Sequence, residues 1–354
     1  MNNKERVLRA VRHENTDRVP LFYRDIPTVE QRLLKDLKLQ NRDELLKYFD
    51  IDFRWVEPLY IGPDLVKKNG NILDIWGVEY KYIKTENGCY WKNISFPLLE
   101  SNDPDMLDNY PWPCVEWFDF SSLECQLEKY RNYAIMTAPG NASPSPLGVT
   151  QELIGMERAM TDMLLNPEYF LKLTEKILDF ELKFIEKLFS TTDGRIDFFR
   201  IGDDFGTQRG LLMSPQLWQQ FIQPSLTAMS IIAKQCGAYY YHHSCGAVSE
   251  LIPLLIETGV DVLDPLQVQA VGMSPGRLKK DFGKQICFSG GVDEQEVLNN
   301  GTPEDVESHV NNLLNIMAYG GGFIIGPTHN FQDDIPTENI VSMYRTAGAW
   351  KPSG

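Results

Sequence analysis

A histidine and a cysteine separated by one residue give the sharpest chemical signal in this sequence. His243 and Cys245 directly follow a short aromatic run. In an extended segment, residues i and i+2 point to the same side, so this imidazole and this thiolate can converge on one ion while His242 faces away. Zinc prefers nitrogen and sulfur ligands, and a catalytic zinc usually takes three ligands from the protein and keeps one position open.

A third candidate ligand comes later in the chain. His329 follows another predicted strand and lies 84 residues after Cys245, and three of the five histidines fall in these two loops. We therefore predict a metal site made of His243, Cys245 and His329. A hydrogen-bonded polar cluster that holds no metal is the alternative interpretation.

Other strand ends also carry residues suited to chemistry. Asp203 and Asp204 could act as a general acid or base, ligate a metal, or cap the next helix. Gly290 and Gly291 would let a substrate approach backbone amides, or would form a tight turn. Three further residues at strand ends are predicted to contact substrate: Gln208, Tyr241 and Gln267.

These residues need a scaffold that brings several strand ends together. From about residue 130 onward, short β-branched and aromatic runs alternate with longer helical patterns, which is typical of βα units and a parallel sheet. In a parallel barrel, chemistry sits where the strands end and the following loops begin. Strands are predicted at 133–138, 196–201, 238–242, 261–263, 285–288 and 323–325. Helices are predicted at 167–189, 215–236, 248–258, 303–319 and 336–347.

The N-terminal third is less regular. It contains helical patterns at 4–12 and 28–37, a first strand at 51–56 and an alternating hairpin at 71–91. No low-complexity linker marks a boundary, so we predict an α/β protein with one domain, 1–354. That domain is a (β/α)8 TIM barrel, and residues 1–130 include its N-terminal helical and hairpin elaboration. A doubly wound sheet is the alternative, but its Gly-rich nucleotide fingerprint is missing after the first strand.

Composition excludes several classes of protein. The 49 acidic and 34 basic side chains leave a net charge of −15, which argues against nucleic acid as a partner. No run approaches the roughly 18 apolar residues of a membrane span. The charged start lacks a secretory pattern, and six scattered cysteines are more typical of thiols than of a disulfide framework. We expect a soluble, cytoplasmic protein. Its oligomeric state is left open, and a homodimer is one possibility.

Taken together, the strand-end segments resemble the uroporphyrinogen decarboxylase superfamily over most of the chain. The fold of that superfamily is a (β/α)8 barrel, in agreement with the pattern above. The stretches that carry the resemblance are Lys4-Glu-Arg6 with Asp17-Arg18-Val-Pro20, Asp203-Asp204-Phe-Gly-Thr-Gln208, Ser214-Pro215, His243-Ser-Cys245-Gly246, Gly259-Val-Asp261 with Asp264-Pro265 and Gln267, Leu278-Lys279 with Phe282-Gly283, Gly290-Gly291-Val-Asp293, and 320–329 with Pro336-Thr-Glu338-Asn339.

The resemblance separates two branches. The decarboxylases carry an Arg-rich substrate loop around Met-Arg-Gln-Ala-Gly-Arg, where this chain has Pro20-Leu-Phe-Tyr-Arg24-Asp25-Ile-Pro27. Most of the arginine side chains that would bind the carboxylates of a tetrapyrrole are therefore missing. The catalytic carboxylate that those enzymes place near the end of the first strand matches Glu57, which we predict to be catalytic together with Asp203 and Asp204.

The methyltransferase branch has His-x-Cys followed about 70 to 85 residues later by a third zinc ligand, usually cysteine. His243 and Cys245 match the first two, and His329 lies where the later cysteine is expected. The resemblance implies zinc acting as a Lewis acid, either on a thiol or on a methoxy or amine-bound methyl group. It also implies methylcobalamin or another corrinoid on a partner protein, since this chain has no corrinoid-binding Asp-x-His-x-x-Gly pattern of its own.

We therefore expect a zinc-dependent methyltransferase that moves a methyl group between a small methylated substrate or thiol and a corrinoid protein. A metal-free decarboxylase of the same superfamily is the second hypothesis. A barrel that binds a small molecule without catalysis is the third.

Overall fold

The structure is a computed structural model that describes residues 1–85, 88–137 and 146–351. Its strands in these ranges are β1 (Phe53–Trp55), β2 (Leu59–Tyr60), β3 (Ile72–Leu73), β4 (Glu79–Thr85), β5 (Gly88–Asn93), β6 (Phe118–Asp119), β7 (Ala134–Thr137), β8 (Phe198–Gly202), β9 (Tyr239–His243), β10 (Val262–Leu266), β11 (Cys287–Val292) and β12 (Phe323–Pro327).

Helices alternate with these strands. They are α1 (Asn3–Val11), α2 (Pro27–Leu37), α3 (Arg42–Tyr48), α4 (Leu123–Tyr130), α5 (Pro146–Ile154), α6 (Met156–Leu165), α7 (Pro167–Thr192), α8 (Pro215–Phe221), α9 (Gln223–Gln235), α10 (Ile252–Thr258), α11 (Pro275–Phe282), α12 (Pro303–Met317) and α13 (Thr337–Ala349). A π-helical turn covers Glu294–Leu298, and short 3-10 turns cover Pro104–Asn109, Val115–Trp117, Phe120–Ser122 and Ser249–Leu251.

Seven parallel strands form one curled sheet in the order β1-β7-β8-β9-β10-β11-β12. The α/β class and the parallel sheet predicted from alternating strand and helix patterns are confirmed. The predicted hairpin is a three-stranded antiparallel sheet, β3-β4-β5. Two residues of that predicted segment, 86 and 87, and Ala138 at the end of the predicted strand 133–138 lie outside the described residues.

One extended segment, residues 20–22, touches both edges of the curled sheet. Leu21 forms a parallel bridge with Ile325 of β12, and the Phe22 N–H donates to the Ile325 carbonyl at 2.9 Å. On the other side, the N–H of Asp52, just before β1, donates to the Leu21 carbonyl at 3.1 Å. The carboxylate of Asp52 also accepts from the N–H of Leu21 at 2.7 Å. The two edge strands are therefore linked through a single segment.

Alternation along the strands divides the core into two layers. Side chains on one face of the sheet pack against the helices in a large outer cluster. Side chains on the opposite face form a smaller inner cluster to which β1, β7, β8, β9, β10, β11, β12 and the 20–22 segment all contribute. Because successive residues of a strand point to opposite faces, the next inward position along each strand lies two residues later. Members of the inner cluster include Phe22, Phe53, Met136, Phe198, Tyr241, Val262, Cys287 and Ile324.

Two further features bear on the sequence expectations. Within the described residues, no helix combines the length and apolar character needed to cross a membrane. The cysteines whose side chains are described are free thiols: Cys114, Cys125, Cys236, Cys245 and Cys287.

Candidate metal and substrate site

The site lies next to the inner apolar cluster, two residues further along the strands toward their carboxyl ends. Two residues beyond Phe22, Phe53, Phe198, Tyr241 and Val262, the chain carries Arg24, Trp55, Arg200, His243 and Asp264. These residues point to the same face as the apolar cluster but lie one layer closer to the carboxyl ends of the strands. This layer is mainly charged and polar. The guanidinium of Arg200 lies over the ring of Trp55, with 5.9 Å between the guanidinium carbon and the ring centroid.

Asp264 is the centre of this polar layer. It is fully buried and lies beside His243 in the β9–β10 register. Its Oδ2 is 2.9 Å from Nδ1 of His243 and accepts hydrogen bonds from Arg24 at 3.0 Å and from Arg200 at 3.3 Å. Burial acts to raise the pKa of Asp264, but Arg24, His243 and Arg200 outweigh it and hold that pKa well below its usual range.

Three potential ligand atoms converge above this layer. Cys245 Sγ lies 3.5 Å from Nε2 of His243, and Asp204 Oδ1 lies 3.7 Å from the same nitrogen. All three ligand atoms fall within 4.8 Å of one another. A tetrahedral zinc with bonds of about 2.0 Å to nitrogen and about 2.3 Å to sulfur separates those two ligands by about 3.5 Å. We call Asp204, His243 and Cys245 the ligand triad.

Backbone contacts between two loops hold the triad in position. The N–H of Cys245 donates to Oδ1 of Asp204 at 2.8 Å, and the N–H of Asp203 donates to the carbonyl of His243 at 3.0 Å. Gly202 makes room for the imidazole, because a Cβ at that position would lie 3.0 Å from Cβ of His243. The loops after β8 and β9 therefore form one unit.

The protonation states in the absence of a cation suit a metal ligand set. Burial lowers the pKa of His243, so its imidazole is neutral at pH 7, although Asp264 opposes the shift. The carboxylate of Asp264 favours the tautomer with the proton on Nδ1, which leaves the lone pair of Nε2 facing the triad. Burial, with Asp204 beside it, raises the pKa of Cys245 to about 12, and a bound cation would supply the missing positive charge.

A cavity of about 510 Å³ opens beside the triad. This volume lies within the usual range of small-molecule sites. Cys245, Gly246 and His329 are among its lining residues, as are two residues predicted to contact substrate, Gln208 and Gln267. Five carboxamides among the described residues line it: Gln208, Gln267, Gln295, Asn299 and Gln332.

His329 lies in the cavity wall but outside the convergent triad. Its side chain is exposed, and its N–H donates to Oε1 of Glu294 at 3.1 Å. Partial burial and the charge of Arg24 lower the pKa of His329. Its role as a metal ligand therefore stays a prediction, and Asp204 is the group that converges with His243 and Cys245.

Several predicted site residues do not line this cavity. Asp203 is buried, and its Oδ1 accepts from the N–H of Gly148 at 2.8 Å. Tyr241 belongs to the inner apolar cluster and donates its hydroxyl hydrogen to Ser289 at 2.6 Å. Glu57 lies beyond β1 with an exposed side chain. Their chemical roles remain predictions.

Gly290 and Gly291 are buried in β11, and both have positive φ, at 96° and 91°. A Cβ on Gly290 would lie 3.1 Å from Pro265, and one on Gly291 would lie 2.9 Å from Leu313. Close packing on both sides therefore accounts for these glycines, and neither lines the cavity.

Sequence reasoning missed Glu294. This carboxyl group lies in the π-helical turn after β11, is 8% exposed and lines the cavity. Burial raises the pKa of Glu294 to about 7, so it can give or take a proton near neutral pH. It directly follows the Gly290-Gly291-Val-Asp293 segment. An acidic residue just after a predicted strand was the sequence feature that could have identified it.

A curled parallel sheet with a His-x-Cys pair and a cavity at its strand ends defines an α/β protein with a candidate metal site. The family model for uroporphyrinogen decarboxylase (URO-D) matches residues 140–350, which is more than half of the chain. The chain therefore belongs to the uroporphyrinogen decarboxylase family, and the resemblance drawn from its motifs is confirmed. No curated protein gives a significant sequence match.

Among solved structures, a methyltransferase from Methanosarcina mazei aligns over 98% of this chain and 98% of its own, with a TM-score of 0.67 and 16% identity. At that identity the likeness establishes a shared fold. The IOLI protein with a bound zinc atom (TM-score 0.32, 12% identity, 64% of this chain, 90% of its own) and a D-tagatose 3-epimerase-like protein (TM-score 0.31, 14% identity, 64% and 82%) align too weakly to support an argument.

Proposed function

We propose that this protein is a zinc-dependent methyltransferase that moves a methyl group between a small methylated substrate and a corrinoid carried by a partner protein. The observation that carries the proposal is the convergence of His243, Cys245 and Asp204 beside a 510 Å³ cavity. We also propose that the 20–22 segment completes an eight-stranded (β/α)8 barrel, since its backbone bonds to both sheet edges.

The ligand triad fits zinc in both chemistry and spacing. His243 and Cys245 would supply nitrogen and sulfur, Asp204 would supply an oxygen, and the cavity side would stay open for substrate. Bound zinc would supply Lewis acidity toward the substrate's methyl-bearing atom or toward a thiol.

The protein's own residues orient the metal ligands and supply a proton. Asp264 holds the proton on Nδ1 of His243 and thereby orients Nε2 toward the triad. Gln267 fixes the Gly246 backbone, because its Oε1 accepts from that N–H at 2.6 Å. Glu294, with a pKa of about 7, is positioned in the wall to protonate the group that loses its methyl.

The cavity also bears on the alternative decarboxylase activity. No lysine or arginine lines the described part of the wall, whereas a tetrapyrrole polycarboxylate needs cationic partners. This observation favours the methyltransferase over the decarboxylase.

The test combines metal content with activity. We expect inductively coupled plasma mass spectrometry to find about one zinc per chain, lost in Cys245→Ala but retained in Cys236→Ala, a matched thiol variant at the end of α9. The zinc-loaded protein should demethylate a methylated substrate in the presence of reduced cobalamin, read as an absorbance change of the corrinoid. Equal metal content in the two variants, or an unchanged cobalamin spectrum across methyl ethers, amines and thioethers, would contradict the proposal.

A further inference from the structure

The described wall of the cavity beside the ligand triad is rich in hydrogen-bonding groups but poor in cationic side chains. Besides its five carboxamides, the wall contains two carboxyl groups, those of Glu294 and Asp334, and two hydroxyls, those of Thr207 and Thr328. Among the described residues, neither a lysine nor an arginine lines it, and neither does a phenylalanine, tyrosine or tryptophan; its one ring is the imidazole of His329. The aromatic side chains suited to stacking a ring or caging a quaternary ammonium are therefore missing from this wall.

The buried guanidinium of Arg24, beside the ligand triad, is already engaged. Arg24 is 8% exposed, and its Nη1 donates to Asp264 at 3.0 Å while Nη2 donates to the Pro327 carbonyl at 3.4 Å. The residues outside the described ranges contain no lysine or arginine at all. A carboxylate, phosphate or sulfonate bound in this cavity away from the ligand triad would therefore lose its hydration without gaining a lysine or arginine partner from the described wall.

The carboxamides offer both donors and acceptors. Oε1 of Gln267 accepts from the Gly246 N–H, so its amide nitrogen remains available to donate. Gln332 has the opposite arrangement from Gln267. Its Nε2 donates to the Asn330 carbonyl at 2.9 Å, and its oxygen remains free to accept. The side chains of Gln208 and Gln295 have no hydrogen bond to any described residue. A hydroxyl group both donates and accepts, so it can pair with each of these positions.

We propose, on the basis of the proposed function, that the substrate is an uncharged, multiply hydroxylated methyl ether, of the polyol or sugar type. The cavity selects against anions. On methyl transfer, the C–O bond breaks and leaves its electron pair on oxygen, which takes one proton to become a hydroxyl. The methyl group goes to the reduced corrinoid of the partner protein.

The test uses two sugars that differ by one group. Methyl β-D-glucopyranoside and methyl β-D-glucopyranosiduronate share a ring and a methyl ether, but the second carries a carboxylate in place of the hydroxymethyl group. Binding to the full-length protein is measured by calorimetry at pH 7.5 and low salt. We expect the neutral sugar to bind at least about ten-fold more tightly than the anion, a difference that electrostatics and desolvation readily produce.

A charge added to the wall provides the decisive variant. Gln295→Lys should raise the affinity for the glucuronide relative to that for the glucoside by about ten-fold. Gln235→Lys makes the same change at the exposed end of α9, outside the cavity wall, and should affect neither sugar. Equal or tighter binding of the glucuronide by the unmodified protein would overturn the proposal.

The outcome also separates this proposal from the proposed function. A protein that holds zinc but binds neither sugar overturns the substrate class and leaves the metal site intact. A protein that binds the neutral sugar selectively but holds no zinc supports the selectivity of the cavity and contradicts the zinc-dependent methyltransferase.

Discussion

Oδ2 of Asp264 lies 2.9 Å from Nδ1 of His243, and the two residues are register partners on adjacent parallel strands. Asp264 is fully buried and also accepts from Arg24 and Arg200. A carboxylate in this position fixes the tautomer and the ring orientation of a metal-binding histidine. The orientation of Nε2 toward Cys245 therefore depends on a residue that touches neither the cavity nor the ligand atoms of the other two triad members.

Replacing Asp264 with asparagine should weaken zinc binding by about 10- to 100-fold, because a neutral amide oxygen is a weaker acceptor for Nδ1–H than a carboxylate. Competition with a chromophoric chelator measures the affinity. Asp261→Asn is the matched control, since Asp261 immediately precedes β10 at its other end and accepts from the Tyr240 N–H. Equal zinc affinities for the two variants would mean that Asp264 does not orient His243.

A direct comparison of Asp204→Asn with His329→Ala identifies the third ligand. Asp204 lies within 4.8 Å of both other triad atoms, whereas His329 is not among the convergent groups. We expect Asp204→Asn to lower zinc affinity by at least about ten-fold and His329→Ala to leave it within about three-fold. The reverse order would support His329 as the third ligand, as predicted from the sequence, and would contradict Asp204.

Asp52 should be important for stability because it links the 20–22 segment to β1. Its fully buried carboxylate accepts from Arg6 at 2.7 Å, from Arg18 at 2.7 Å and from the Leu21 N–H at 2.7 Å. Removing one partner of a buried ion pair leaves charges uncompensated, so Asp52→Ala should lower the free energy of unfolding by about 3–5 kcal/mol.

Asp50→Ala is the control for Asp52→Ala. Asp50 also pairs with Arg18, but its side chain is 65% exposed, and exposed pairs contribute roughly 0–1 kcal/mol. Urea unfolding of the two variants, monitored by circular dichroism, provides the comparison. Similar losses for both would show that the link between Asp52 and the 20–22 segment carries little of the stability.

Glu181 makes stability depend on pH. Its carboxyl group on α7 is fully buried, and neither oxygen has a hydrogen-bond partner among the described residues. Burial, with Asp203 nearby, raises the pKa of Glu181 well above its usual value, so the folded protein favours the protonated carboxyl group over a wider pH range than the unfolded chain does. Its contribution to stability is therefore intact below about pH 4.5 and declines as the pH rises above that value.

The neutral variant Glu181→Gln removes this ionisation. Its melting temperature relative to the unmodified protein should increase between pH 4.5 and pH 8, because only the unmodified chain gains a charge on unfolding. Differential scanning fluorimetry at both pH values measures the change. A constant difference between the two proteins across that range would mean that Glu181 is ionised in the folded state or that its pKa is unshifted.

Local patterns in the sequence determined much of this protein. Alternating strand and helix signals predicted the parallel sheet, because buried parallel strands and amphipathic helices have distinct periods. The same period of two predicted that His243 and Cys245 share a side and that His242 faces away. His242 is indeed fully buried and stacks on Phe205, with ring centroids 5.3 Å apart.

Only the tertiary structure decided which groups from different loops meet. Asp204 rather than His329 lies beside His243, Asp264 supports the imidazole from the neighbouring strand, and Glu294 enters the cavity wall from the turn after β11. Spacing along one strand is fixed by local backbone geometry and can be deduced from the sequence. Distances between strand ends depend on sheet register, curvature and loop packing, which arise from contacts between residues far apart in the chain.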